Sequence, residues 1–240
     1  MRYLIVSDIH ANWQALEAVL ADADGQYDQI LCCGDLVGYG ADPNRVVEWA
    51  RTQLTEVVRG NHDRASAFDD DLEWFNPAAR KSTEWTREAL TAANREWLRA
   101  LPAGPLTVTD FDLVHGSPRD EDEYLVTPRD LSEAFVHMFH RLAFFGHTHW
   151  QRAFSWDEGQ HNDWASEASL DVRGNAAWLV NPGAVGQPRD WDPRAGYALF
   201  DVPAGEIHLK RVAYDVAAAR RAIFAAGLPR SLGNRLIEGA

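Results

Sequence analysis

Cationic side chains are scarce in this chain, as are cysteines and long apolar runs, and each shortage excludes something. Lys and Arg total 23 against 36 Asp and Glu, a formal net charge of −13. Binding along a nucleic acid rests on neutralising many phosphates, so a long nucleic acid is not expected as a partner. A small phosphate group remains compatible, provided something cationic sits in the pocket, and bound metal is a better source of that charge than the surface. The two cysteines, Cys32 and Cys33, are neighbours. On a strand they point to opposite faces and cannot bridge each other, so they read as small core residues. No apolar run approaches the ~20 residues that span a bilayer. Met1-Arg2-Tyr3-Leu4-Ile5 leads directly into an expected strand, without the apolar core and cleavage site of a secretory leader. The expectation is a reducing, cytoplasmic setting with no membrane contact.

Core-forming side chains are plentiful. Of 240 residues, 46% are hydrophobic, enough for a single α/β domain over residues 1–240. The organising stretch is Gln29-Ile30-Leu31-Cys32-Cys33-Gly34-Asp35, an apolar strand that stops at glycine and presents one carboxylate. In open α/β sheets, chemistry gathers beyond the carboxyl ends of strands, which makes Asp35 the expected hub. The segments 3–10, 56–63, 111–116 and 141–149 follow the same grammar, an apolar run and then a polar cluster. Five strand ends therefore deliver Asp, Asn and His.

Between the first strands, Trp13, Leu16, Val19 and Leu20 recur at helical spacing, and a second helix is expected from 43 to 51. The resulting β-α-β-α-β order predicts a parallel core with right-handed crossovers. From about 64 to 101 the texture turns acidic and aromatic, with Asp69, Asp70, Asp71, Trp74, Phe75, Trp85 and Trp97. Helices are expected there over 77–90 and 94–101, an insertion placed to roof the strand ends. Its tryptophans either pack on the sheet or stack on a ligand. In the second half, short strands at 106–109, 111–114, 142–145, 151–155, 170–172, 177–180, 197–201 and 206–212 suggest a second, largely antiparallel sheet. The stretch 131–140 reads as a helix, 157–166 as a polar loop, and 215–226 as a closing helix followed by a fraying tail.

Of nine histidines, His10, His62, His115, His147 and His149 fall directly behind apolar strands, with Gly or Asp close by; His137, His140, His161 and His208 lack that setting. Each signal alone is weak. Gly60-Asn61-His62-Asp63 by itself reads as an Asn-rich turn, and His137 and His140 read as one helix face. His147-x-His149 is stronger, because side chains at i and i+2 of an extended segment point the same way. Together they form a cluster of imidazole, carboxylate and amide oxygen, which suits zinc, manganese, iron or nickel and not a calcium cage. The count exceeds what one ion uses. Two ions sharing Asp35 fit better, and such pairs, ~3.5–4 Å apart, hold phosphoryl groups during in-line displacement.

In order along the chain, Asp8-Ile9-His10, Gly34-Asp35, Gly60-Asn61-His62-Asp63, His115 and Gly146-His147-Thr148-His149 resemble the motif set of the calcineurin-like metallophosphoesterase superfamily. The match spans well over half the chain. The resemblance implies a four-layer α-β-β-α sandwich with two mixed β-sheets and a dimetal site at their edge. It implies that Asp8, His10, Asp35 and His149 hold one metal, and Asp35, Asn61, His115 and His147 the other. His62 would be the non-ligand histidine that protonates the leaving group while metal-held hydroxide attacks phosphorus. One departure is informative. Protein serine/threonine phosphatases of this superfamily carry Asp-Arg after G-D-x-V, where this chain has Gly38-Tyr39. The chain more closely resembles the small prokaryotic phosphodiesterase branch. The expected substrate is a small or nucleotide-type phosphoester, with Arg189, in the Pro/Gly-rich run 181–190, as a further phosphate contact. The competing readings are a metal-binding interaction scaffold on the same fold, a protein phosphatase, and a dimetal hydrolase acting on another bond.

Overall fold

The computed structural model describes residues 1–69, 72–157 and 159–240. Asp70 and Asp71 of the acidic stretch lie outside the described residues, as do Glu158 of the expected polar loop and the side chain of His161. In chain order the elements are β1 (Arg2–Val6), α1 (Trp13–Asp22), β2 (Gln29–Cys32), α2 (Pro43–Gln53), β3 (Leu54–Val57), α3 (Asn61–Ala67), α4 (Pro77–Ala89) and α5 (Ala92–Arg99). There follow β4 (Leu106–Val108), β5 (Phe111–Leu113), α6 (Pro128–Val136), β6 (Leu142–Phe144), β7 (Arg152–Asp157), β8 (Gln160–Trp164), β9 (Ser169–Asp171), β10 (Ala177–Asn181), β11 (Ala195–Asp201), β12 (Glu206–Val212), α7 (Val216–Ala225) and α8 (Arg230–Glu238). Short polar side chains set several helix starts. Asn12, Asn76, Thr127 and Asp215 each accept an N–H from the first turn of α1, α4, α6 and α7. Pro43, Pro77 and Pro128 stand at first helical positions, where no N–H is needed.

The strands form two six-stranded mixed sheets, β3-β2-β1-β11-β12-β9 and β4-β5-β6-β10-β7-β8. β1, β2 and β3 are parallel, as their crossovers require. Alternation along β1 then builds the layers. Leu4 and Val6 face outward onto α1, α2 and α5, packing with Leu16, Val47 and Leu98. Tyr3 and Ile5 face inward, between the sheets, against Phe111, Leu113 and Phe144. Cys32 and Cys33 divide the same way, one in each cluster. On the far side α6 lays Leu131 and Ala134 on Phe145 and Leu179. Burying each such aliphatic side chain stabilises the fold by about 1.5–3 kcal/mol, and the result is the α-β-β-α sandwich.

Several expectations are corrected. The later strands do not all enter a second antiparallel sheet. β11 pairs antiparallel with β1 and carries β12 and β9 with it, while the other sheet keeps parallel β5-β6 and β6-β10 pairs. β1 is buried on both faces, so its second edge needs a strand to satisfy its backbone groups. The polar loop contains β8, an edge strand hydrogen-bonded to β7, and edge strands are where polar composition is tolerated. The expected 131–140 helix is Pro128–Val136, and His140 lies beyond it, donating its N–H to Asp112. The tail forms α8. Leu232 and Leu236 bury one face on Ile223 of α7, and Gly233 sits where a Cβ would come 2.8 Å from Phe224 Cε1. Of the insertion's tryptophans, Trp97 packs on the outer face of the first sheet and Trp85 packs beneath α7–α8, whereas Trp74 is 96% exposed.

Candidate metal centre

β1, β2 and β3 of one sheet and β5 and β6 of the other end at a common edge, and their following loops converge there. Ser7 and Asp8 follow β1, Gly34 and Asp35 follow β2, Gly60 leads into α3, His115 follows β5, and Gly146 and His147 follow β6. The Gly60-Asn61-His62-Asp63 run is not a free turn. It opens α3, with the Asp63 carboxylate accepting the Gly60 N–H at 3.0 Å and the Val37 N–H at 3.1 Å. The backbone turns sharply at the strand ends. Asp8, His10, Asp35, His147 and His149 all have positive φ, between 48° and 65°. For residues with a Cβ this left-handed conformation costs about 1–2 kcal/mol each, and such strain gathers at functional sites.

The donor atoms fall into two groups, Asp8, His10, Asp35 and His149, and Asp35, His115 and His147. Within each, one donor atom per residue lies within 4.8 Å of the others. Asn61 joins the second, its Oδ1 3.2 Å from His115 Nε2. His147 and His149 thus serve different groups, which corrects the expectation that they point the same way. The segment is not extended, and its positive-φ residues turn the rings apart. Asp35 Oδ2 lies 3.5 Å from both His10 Nε2 and His115 Nε2, between the groups, and has no hydrogen-bond partner. Asp35 Oδ1 accepts the His62 N–H at 2.9 Å, and the Asp8 carboxylate accepts the His147 N–H at 3.1 Å.

Backbone carbonyls orient the rings, and nothing in the side-chain pattern announces them. The Nδ1 of His10, His115 and His149 meets the carbonyls of Val37, Cys33 and Gln187 at 2.9, 2.8 and 2.5 Å. Each Nδ1 therefore donates, leaving Nε2 as the coordinating nitrogen, a bare lone pair in His10 and His149, which burial keeps neutral, and one that must first lose a proton in His115. His147 is reversed, its Nε2 meeting the Asp122 carbonyl at 3.1 Å, so its Nδ1 is the free nitrogen. With those tautomers, His10 Nε2 and His149 Nε2 face each other at 3.1 Å lone pair to lone pair, an arrangement a cation between them would stabilise. These donors, carbonyl-oriented as metal-binding imidazoles are, fit divalent metal.

Burial pushes Asp8 up to about 7, opposed by His115. It also works to raise Asp35, but His115 and His62 outweigh it and hold that carboxyl well below its usual value. Burial opposes charge on His115, yet Asp35 and Asp8 push it up to about 10. Burial lowers His62 to about 4 and His147 to about 3. The His62 ring belongs to neither donor group; it is packed by Tyr39 at 4.4 Å, Phe75 at 4.8 Å and His10 of the first group at 5.0 Å between centroids, and its Nδ1 is unpartnered. Gly38 makes this fit possible. It adopts φ +88°, and a Cβ there would stand 2.6 Å from His62 Nδ1.

The 181–190 run lines the site, Gly186 N–H donating to the Asp8 carbonyl and Gln187 holding His149. Arg189, from the same run, is half-buried, with its guanidinium 5.6 Å over the Tyr39 ring. Beside the second group a cleft of about 420 Å3 is lined by Asn61, Arg64, Trp74, Phe75, Tyr124 and His147, among others. Tyr124, which sequence reasoning missed, stacks on His147 at 3.8 Å.

The model of the calcineurin-like phosphoesterase superfamily domain matches residues 1–205. Uncharacterized protein MJ0912 of Methanocaldococcus jannaschii is 35% identical over 241 residues, covering 98% of this chain and 97% of that one. A metallophosphoesterase from Sphaerobacter thermophilus superposes with a TM-score of 0.90 at 41% identity, over 100% of this chain and 99% of that chain. Hypothetical protein PH1004 from Pyrococcus horikoshii shares the fold at a TM-score of 0.79 and 20% identity, over 100% and 98% of the two chains.

Proposed function

This chain belongs to the calcineurin-like phosphoesterase superfamily, and we propose that it is a dinuclear metal-dependent phosphoesterase hydrolysing a small or nucleotide-type phosphodiester. The observation that carries this reading is Asp35, common to both donor groups, with Oδ2 buried between them and unpartnered. Two divalent cations held there, whether manganese, iron, zinc or nickel, supply Lewis acidity at the phosphoryl oxygens and make a water acidic enough to ionise near neutral pH.

The chain's own residues position and protonate. Without substrate His62 is neutral, carrying one ring proton, because burial holds it at about 4. An anionic ester bound beside it raises its proton affinity, so the ring takes up a second proton from solvent and, as imidazolium, gives that proton to the departing alkoxide oxygen and returns to neutral. Tyr39 and Phe75 hold the ring in place. Arg189 contributes a guanidinium that neutralises the phosphoryl group. The cleft beside Asn61 and His147 takes the alcohol portion of the ester, with Trp74 and Tyr124 as aromatic walls. A phosphoprotein role is disfavoured, because the contact between Gly38 and His62 leaves no space for the histidine-orienting Asp of the protein phosphatases.

Release of 4-nitrophenolate from bis(4-nitrophenyl) phosphate with added manganese tests the reading. His62→Ala and Asp35→Asn are expected to lose about a hundredfold or more in rate. Equal rates in all three proteins would refute it, and stoichiometric metal without turnover of any phosphoester would mark a binding scaffold instead.

A further inference from the structure

Two cations over the site have no carboxylate side chain among the described residues to answer them. Arg189 and Arg235 of α8 both donate to Gln187 Oε1, each through an Nη at 3.1 Å. Arg189 also donates to Tyr39 Oη at 3.2 Å, and Arg235 Nε to the main-chain oxygen of Ala240. Neither guanidinium pairs with a carboxylate side chain among the described residues. Their neighbours are treated otherwise. Arg211 pairs with Asp190 and Asp192, Arg194 with Asp192 and Glu167, and Arg59 and Arg64 with Glu121. Even Asp190, next to Arg189 in the chain, turns to Arg211.

Two guanidiniums on one neutral oxygen repel, more so when partly buried. Burial and then Arg189 lower the pKa of Arg235 accordingly, and Arg189 Nε is buried with no acceptor at all. In a chain of net charge −13 such a pair is poorly explained by solubility or by folding. The pair is also tied to the centre, since Gln187, which joins the two arginines through Oε1, accepts the His149 N–H through its carbonyl at 2.5 Å. The planar fork of arginine matches phosphate oxygens two at a time. α8 lies outside residues 1–205 matched by the family model, so the second cation comes from this chain's C-terminal helix.

We propose that Arg235, with Arg189 lying between it and the phosphoryl group at the metal centre, forms a subsite for a second phosphate group on the substrate. The inference rests on the phosphoesterase reading for the identity of the first group, and it makes Arg235 a specificity residue for esters carrying two phosphates. A nucleotide bearing an extra phosphate and a sugar bisphosphate ester present the same group.

Two measurements on manganese-loaded full-length protein test this. Calorimetry compares pyrophosphate with orthophosphate on the wild type, Arg235→Gln and Arg235→Lys. Steady-state kinetics compares a nucleotide diester with an extra phosphate, a sugar diester with one, and bis(4-nitrophenyl) phosphate. Pyrophosphate is expected to bind the wild type more tightly than orthophosphate. Arg235→Gln is expected to weaken pyrophosphate, and raise KM for at least one doubly phosphorylated ester, about tenfold more than for the singly charged probe, as loss of one charged hydrogen bond implies. Arg235→Lys recovers part of that loss. Whichever ester shows the larger KM effect identifies the source of the second phosphate. Equal wild-type affinities for the two anions, or equal losses on all substrates in the variants, overturn the subsite. Absence of hydrolysis alongside Arg235-dependent pyrophosphate binding would instead sink the enzymatic reading and leave the subsite standing.

Discussion

Around Asp35, the group completed by Asp8, His10 and His149 is closed, whereas the group completed by Asn61, His115 and His147 borders a cleft. Asp8, His10 and His149 are buried, and Gln187 and α7–α8 close over His10, with only about 10 Å3 of free space beside it. On the other side Asn61 is half-buried, His147 lies against Tyr124, and about 420 Å3 is open. The imidazoles of the closed group are fixed by carbonyls from separate loops, those of Val37 and Gln187. In the open group His115 is fixed in the same way by the Cys33 carbonyl, and His147 by that of Asp122, in the stretch that Arg59 and Arg64 grip through Glu121. The difference is one of access: one group is enclosed, and the other opens onto the space where the proposed ester's alcohol portion would sit.

The largest expected effect abolishes the contrast. Asp35→Asn weakens both groups at once, and diester hydrolysis is expected to fall about a thousandfold, the scale of losing a key electrostatic group, with elemental analysis showing metal lost from both sides. Retention of two ions per chain would show that the acid is not shared.

A paired substitution separates the sides. Both His149→Ala and Asn61→Ala should weaken metal binding tenfold or more, roughly as disturbing a metal-site residue does. Only the first removes a fully enclosed ring, so calorimetric melting should drop by about 5 °C or more for His149→Ala and by about 2 °C or less for Asn61→Ala. Equal drops would erase the distinction between closed and open.

Metal loading should also differ in its pH dependence. His115, pushed up to about 10, is protonated across the neutral range, so filling the open group must displace its proton. Affinity there should weaken about tenfold for each unit the pH falls. Asp8, raised to about 7, imposes the same requirement on the closed group only below that pH. Manganese titrations from pH 8 to pH 6 should therefore show the open group weakening throughout and the closed group weakening only in the lower half. Parallel slopes for both would contradict the assignment.

The smallest effect is on the cleft wall. Trp74→Ala removes an exposed ring with no packing role, so melting should not move. KM for a diester with an aromatic alcohol should rise about five- to tenfold, as loss of one stacking contact implies, with kcat nearly unchanged. An unchanged KM would mean that the cleft does not hold the aromatic portion.

Much of this architecture was legible because strand ends and helix caps are local. The apolar run before Asp35 and the alternation through Tyr3, Leu4, Ile5 and Val6 are readable without coordinates, as are the proline-marked starts of α2 and α4. The misreadings have a common origin in long-range partners. The helix that Asn61 and His62 open went unread because it is stabilised by Asp63 reaching back to Gly60 and Val37. Gln160–Trp164 looked like loop because its pairing with β7 supplies what its composition does not. The 230–238 helix looked like a tail because its two leucines matter only once α7 lies beneath them.

The order of motifs from Asp8 to His149 determined which side chains are available as donors, since a strand end displays its next residues whatever the rest of the chain does. Which nitrogen each imidazole offers, and that Arg235 arrives beside Arg189, were decided only by the tertiary structure. Those outcomes depend on carbonyls, positive-φ turns and a helix brought together from distant segments, and contacts between distant segments leave no periodic trace in a linear sequence.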